Sequence, residues 1–198
     1  MSTSTTEGTS QATTSSSTST SSVAGHQESL TALGYWLGEI DGQLGPNTVH
    51  AVTAFQKAEE LPRTGQLDPA TVERLAVAVT PAGRSTAGAV IEIDLARQIL
   101  LVVSEGQVQR IYDTATGAPA TPTPAGQFEI YHEIDGYRYA PLGTLYRPKY
   151  FNGGIALHGY TSVPAQPASH GCIRVTYAAM DHLWATGAAP IGTPVWVY

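Results

Sequence analysis

Hydrophobic periodicity changes once along this chain, near Val90, and that change constrains the fold more than any other feature. Before it, apolar residues recur at the three- and four-residue spacing of a buried helix face. After it they alternate with polar residues, the spacing of a half-buried strand. A chain patterned this way predicts a short helical module followed by a mainly β domain with one clear helix. Its 198 residues accommodate one sizeable domain plus a small module, and its 42% apolar content supports a packed core.

Residues 1–25 are almost entirely Ser and Thr. They carry too little apolar surface to offset chain entropy, which predicts a disordered tail, either a tether that spaces a domain from its anchor or an ordinary floppy end. Residues 26–80 predict three short helices. Leu30, Leu33 and Leu37 fit a first helix that stops at Gly38, and Asp41-Gly42 and Leu44-Gly45-Pro46 are turn signals. Pro46 suits the first position of a second helix, in which Ala51, Ala54, Phe55 and Ala58 share one buried face. Asp68 caps a third helix with Pro69 at its first position and an apolar stripe of Val72, Leu75, Ala76 and Val79. Residues 81–88 read as a linker.

Residues 89–198 form the β domain. Ile91, Ile93 and Leu95 alternate with Glu92, Asp94 and Ala96, whereas Ile99 to Val103 is more uniformly apolar. Glu105-Gly106 turns that strand into Gln107–Tyr112, completing an antiparallel meander. Phe128–Ile134 predicts another strand. Asp135–Lys149 is rich in Tyr, Pro and Gly without a clean period, consistent with a flap or an irregular wall over a cleft. Ile155-Ala156-Leu157 is a short buried strand delivering His158. Thr176 caps a helix reaching about Trp184, with Met180, Leu183 and Trp184 inward, and Pro194–Tyr198 closes as a strand.

Charge excludes one function class. The net charge is −6 and the ten Lys and Arg residues are scattered, so no basic patch exists to neutralise nucleic-acid phosphates. No apolar run approaches the ~20 residues of a membrane span. The N-terminus lacks the charged and apolar regions of a signal peptide, so the chain is expected to be cytosolic or to begin after an export segment.

Cys172 is the only cysteine and has no intramolecular disulfide partner. His158 lies 14 residues before it and His170 two residues before it. A free thiol, with a pKa of about 8.5, is only a few per cent thiolate at neutral pH and needs a base beside it to act as a nucleophile. Three readings fit. In the first, a cysteine–histidine pair performs acyl transfer, with Gly171 allowing close backbone approach. In the second, one Cys and two His hold zinc, although the common CxxC and HxxxH spacings are absent. In the third, the cysteine is a buried apolar residue with incidental histidines. The glycines around Cys172 and its loop setting favour the first, and spacing alone does not choose between the two histidines.

Two resemblances extend this. Leu33-Gly34-Tyr35, Asp41-Gly42, Gly45-Pro46-Asn47-Thr48, Ala51-Val52 and Phe55-Gln56, followed by Leu61, Thr64-Gly65 and Asp68, resemble a peptidoglycan-binding domain. That implies a three-helix unit holding glycan or stem peptide, with a plain spacer as the alternative. Leu157-His158-Gly159 and Ser169-His170-Gly171-Cys172-Ile173-Arg174 resemble the signature of the L,D-transpeptidase (YkuD-like) catalytic domain. Thr116-Gly117 and Thr121 to Phe128 resemble the same family, with one extra residue, Pro124 or Ala125, in the Thr-Pro stretch.

The resemblance implies a β-sandwich-like catalytic domain that cross-links peptidoglycan stem peptides through a cysteine thioester, releasing D-Ala from a tetrapeptide donor. Carried over by position, Cys172 is the nucleophile and His158 the base, oriented by the Gly159 carbonyl. Ser169 and His170 shape the site, Gly171 and Cys172 give oxyanion N–H groups, and Arg174 braces the loop or meets a substrate carboxylate. No cofactor and no metal are implied, because the bond broken drives the bond formed. Carbapenem-type β-lactams are implied as covalent inhibitors, and the substrate implies a place outside the cytoplasmic membrane, in the cell wall or envelope. An L,D-carboxypeptidase using the same Cys and His, or a non-catalytic wall-binding protein, are the alternatives.

Overall fold

The computed structural model describes Met1 and residues 22–198. Three helices lead. α1 (Val23–Ala32) is capped by the Ser22 hydroxyl, which accepts from the Gly25 N–H. It therefore starts inside the expected tail, whose residues 2–21 lie outside the described residues. It also ends earlier than the leucine spacing predicts. Gly34 adopts φ +92°, which turns the chain out of the helix, and Tyr35 then bridges to Ile111 as extended chain. Leu37 is buried without being helical.

α2 (Pro46–Ala58) starts at Pro46 and buries Ala51, Ala54 and Phe55, together with Gln56 and Lys57. α3 (Pro69–Leu75) is capped by Asp68, whose carboxylate accepts from the Thr71 N–H. It is a turn shorter than its apolar stripe predicts, and Val77 and Val79 are exposed. Their β-branching and the approach of Pro81 disfavour another helical turn.

The strands are β1 (Ala89–Asp94), β2 (Ile99–Ser104), β3 (Gln107–Asp113), β4 (Gly126–Glu129) and β5 (His132–Glu133). β6 (Tyr137–Ala140), β7 (Gly143–Asn152), β8 (Ile155–Gly159), β9 (Ile173–Val175) and β10 (Pro194–Val197) follow, with α4 (Tyr177–Ala185) between the last two. One sheet has the order β3-β2-β1-β10-β4, antiparallel except where β1 meets β10. The other has the order β5-β7-β8-β9 with β6 beside β7, and its β8–β9 pair is parallel. The domain is thus mainly β and sandwich-like.

Between the sheets, Ile91, Ile93 and Leu100 meet Phe151, Leu157 and Ile173, and α4 adds Met180 and Leu183. The opposite face of the first sheet is buried too. Ile99, Leu101, Val103 and Ile111 pack against Leu30, Tyr35 and Phe55 of the helical module. β2 is therefore covered on both faces, which is why its sequence is uniformly apolar. β1 alternates in sequence but is not half-buried: Glu92 and Asp94 are buried as well, Glu92 accepting from the Arg84 and Ser85 N–H groups and Asp94 from those of Ala96 and Arg97.

Two stretches differ from expectation. The strand predicted over Phe128–Ile134 is two strands: the Ile130 N–H reaches Thr193 O in one sheet, and the Tyr131 N–H reaches Tyr150 O in the other. The chain changes sheets between those residues. Asp135–Lys149 is largely a β6–β7 hairpin. Its period is lost because Arg147 sits at φ +51° and the register with β8 shifts between Tyr146 and Lys149. Arg147 is held there by Asp135 at 2.7 Å and Asp181 at 2.8 Å. α4 begins as predicted, capped by Thr176. No helix among the described residues is long and apolar enough to cross a membrane.

Candidate active site

β8 delivers His158, which is 3% exposed, beside Arg174 of β9 in the parallel register. The imidazole Nδ1 lies 2.9 Å from the Gly159 carbonyl oxygen. A carbonyl only accepts, so Nδ1 carries the proton and Nε2 keeps a free lone pair. Burial pushes the His158 pKa down to about 4; the Gly159 carbonyl opposes this and the Arg174 charge adds to it. Gly159 itself is confined, since a Cβ there would meet Tyr146 at 2.8 Å and Tyr177 at 2.9 Å.

Cys172 ends the loop that enters β9, with its Sγ 3.9 Å from the Gly154 carbonyl. Burial raises its pKa, against the pull of the Ala156 amide and the Arg174 charge. Burial thus favours the uncharged form of each group, lowering the imidazole pKa and raising that of the thiol.

The loop before Cys172 is closed by Ser169, whose hydroxyl donates to Cys172 O at 2.6 Å and accepts from the Gly171 N–H at 3.0 Å. The Gly171 N–H is thereby engaged in the loop. Gly171 adopts φ +108°, which explains glycine at that position. The threonine stretch clamps the loop from outside. Thr123 Oγ1 accepts from Gly117 N–H at 2.9 Å and donates to Gly171 O at 2.8 Å, and Thr121 Oγ1 donates to Ser169 O at 3.0 Å. At Gly117 a Cβ would fall 2.2 Å from Thr121 O, so the two loops approach too closely for any side chain.

These groups open into a cavity of about 370 Å³. His158, Tyr160, Ser169, His170, Cys172 and Arg174 line one side, and residues 140–145 at the β6–β7 turn line the other. The structure separates the two histidines: His158 is buried and oriented, whereas His170 is exposed on the cavity wall. The Arg174 guanidinium sits 4.1 Å over the Tyr160 ring, and its buried Nε has no hydrogen-bond partner among the described residues. A second cavity of about 400 Å³, bordered by His132 and Arg138, shares Ala140, Tyr150 and Gly154 with the first. Among the described residues no three His, Cys, Asp or Glu side chains converge as metal ligands.

A family profile described as the L,D-transpeptidase catalytic domain (YkuD) matches residues 88–197, more than half of the chain. The chain belongs to the L,D-transpeptidase family. A second profile, described as a peptidoglycan binding domain, matches residues 19–75. The crystal structure of an L,D-transpeptidase from Xylanimonas cellulosilytica is 44% identical with a TM-score of 0.86, covering 89% of this chain and 92% of that one. An L,D-transpeptidase from Stackebrandtia nassauensis aligns at 22% identity and TM-score 0.56, over 89% of this chain and 90% of that one. An L,D-transpeptidase from Mycobacterium smegmatis aligns at 22% identity and TM-score 0.50, over 57% and 59%. The last two support the fold alone. No curated protein matches the sequence.

Site residues that sequence reasoning missed are Thr121, Thr123 and Gln98. The first two were visible as a Thr-Pro repeat but not as a clamp. Gln98, which donates to Thr116 Oγ1 at 2.6 Å, carried no signal at all.

Proposed function

We propose that this protein is a peptidoglycan L,D-transpeptidase that cross-links stem peptides through a thioester on Cys172. The observation that carries the reading is a buried, tautomer-fixed His158 and a lone cysteine opening into the same cavity. His158 Nε2 takes the thiol proton as Sγ attacks the carbonyl between the L-centre of the donor's diamino acid and its terminal D-Ala. The oxyanion is assigned to the Cys172 N–H, because the Gly171 N–H is engaged by Ser169. The C–N bond breaks, His158 returns the proton to the leaving D-Ala amine, and the thioester remains. An amine from a second stem then attacks, gives its proton to His158, and expels the Cys172 sulfur, which is reprotonated.

Arg174, on the cavity wall, braces the loop or meets a substrate carboxylate, and His170 and Ser169 shape the donor side. The adjoining second cavity supplies room for the acceptor stem, which supports transfer over hydrolysis. The helical module holds glycan or stem peptide, and the substrate places the protein in the cell wall outside the cytoplasmic membrane. Incubation with disaccharide-tetrapeptide, read by mass spectrometry, tests this: cross-linked dimers are expected. Tripeptide monomers alone would make it an L,D-carboxypeptidase, and unchanged substrate would reject both activities. Carbapenems are expected to acylate Cys172, so an adduct that survives Cys172→Ala would remove that residue from its role.

A further inference from the structure

We propose that Lys57, on α2 of the helical module, is a positioning residue for Cys172, which makes the module part of the catalytic unit as well as an attachment to the wall. The activity readout below rests on the transpeptidase reading; the geometry does not. Lys57 is fully buried, and its ammonium makes three hydrogen bonds: to Asp113 Oδ1 at 2.6 Å, Thr114 O at 2.7 Å and Gln98 O at 3.2 Å. All three acceptors belong to the β domain and none to the module. The other Asp113 oxygen lies 2.6 Å from His50 Nδ1, so α2 grips that carboxylate twice.

Each acceptor stands on a segment that holds the cysteine loop. Thr114 donates its hydroxyl to Arg174 O at 2.7 Å, and Ala115 and Arg174 exchange both backbone hydrogen bonds at 3.0 Å. The Gln98 side chain closes a ring with Thr116, donating to its hydroxyl at 2.6 Å and accepting from its N–H at 2.9 Å. Thr116 O accepts from the Ser169 N–H at 3.0 Å, and Ser169 closes onto Cys172. Two routes therefore run from one ammonium to the two ends of the Ser169–Arg174 segment.

Stability alone does not call for a cation there. Desolvation lowers the Lys57 pKa against the pull of Asp113, and a buried ion pair is commonly replaceable by neutral groups without loss of stability. What neutral side chains do not reproduce is three acceptors on two segments gathered at one point. A small misplacement remote from the chemistry lowers turnover far more than it lowers affinity.

The test compares full-length wild type with Lys57→Met/Asp113→Asn, which removes both charges together, and with Thr114→Val, which cuts only the hydroxyl link to Arg174. The readouts are Tm, kcat and KM for D-Ala release from disaccharide-tetrapeptide, and the pH profile of Cys172 alkylation by iodoacetamide. The double variant leaves the Thr114 and Gln98 carbonyls without their donor, so we expect a lower Tm in a protein that still folds, and, beyond that loss, kcat lower by about ten-fold or more at unchanged KM with a displaced alkylation profile. Wild-type kcat and alkylation profile in a folded double variant would overturn the proposal. If the double variant does not fold, Thr114→Val decides: lower kcat at unchanged KM supports positioning, and wild-type kcat refutes it. Should wild type release no D-Ala, the transpeptidase reading fails, and the alkylation profiles of the variants still decide the role of Lys57.

Discussion

Keeping His158 neutral has a measurable consequence for folding. Burial lowers its pKa from 6.5 to about 4. In the unfolded chain the imidazole titrates near 6.5, so between those values the unfolded state binds a proton that the folded state refuses. Stability from this residue is therefore complete above about pH 6.5, declines as pH falls, and levels off once the folded-state imidazole also protonates near pH 4. At about 1.4 kcal/mol per pKa unit, the loss is on the order of 3 kcal/mol, a large share of the roughly 5–15 kcal/mol that stabilises a typical domain. His158→Asn isolates it, since the amide can still donate to Gly159 O but does not titrate. Urea unfolding of both proteins from pH 7.5 to 4 should give stabilities that converge or cross as pH falls, because only wild type carries the histidine penalty. Asp41, Asp68 and Glu92 also have lowered pKa values and shed stability in acid, but they do so in both proteins and cancel in the difference. A difference that stays constant from pH 7.5 to 4 would refute the lowered His158 pKa, because it would show an imidazole that titrates alike in the folded and the unfolded chain.

The raised thiol pKa predicts that alkylation of Cys172 by iodoacetamide has a midpoint above the ordinary value of about 8.5, and a midpoint below 7 would show a preformed thiolate. Thr123→Val keeps shape but strands the Gly117 N–H and the Gly171 carbonyl, so unfolding stability should fall by about 2–5 kcal/mol, measured in urea, with slower acylation by carbapenems. Gly117→Ala forces backbone apart at Thr121 and should abolish acylation while Cys172 is present, read as intact mass after carbapenem treatment; an unimpaired adduct would contradict the close approach of the two loops. A fragment spanning 89–198 should aggregate or unfold near room temperature, because it would bare Ile99, Leu101, Val103 and Ile111 and leave Asp113 without Lys57; a soluble fragment with wild-type Tm would show the module to be energetically separate.

What sequence showed and what it hid divide along the range of the interactions. The change of period at Val90, Pro46 and Asp68 at helix starts, and Thr176 as a cap are local signals, and each agrees with the structure. The misplaced end of α1 was a contest of local signals: Leu30, Leu33 and Leu37 fit one helix face, but Gly34 at φ +92° stops the helix and sends Tyr35 to pair with Ile111, 76 positions away. Asp135–Lys149 lost its period to one residue, Arg147, whose left-handed backbone is fixed by Asp181 and by Trp184, 4.8 Å beneath its guanidinium. No window around Arg147 contains those partners. The cysteine motif was legible as chemistry, whereas the clamp of Thr121, Thr123 and Gln98 around it exists only after the chain has folded.

The uniform run Ile99–Val103 held more information than a buried strand. A strand with one face on the sandwich core and the other toward water should alternate; one that does not alternate must be covered twice. The β domain covers it once, so the second cover comes from the helices, through Leu30, Tyr35 and Phe55. That packing delivers Lys57 against the end of β3, where its charge meets Asp113. The apolar pattern of one strand thus implies that the module is fastened to the sheet, and the fastening brings its buried cation to the segments that hold Cys172.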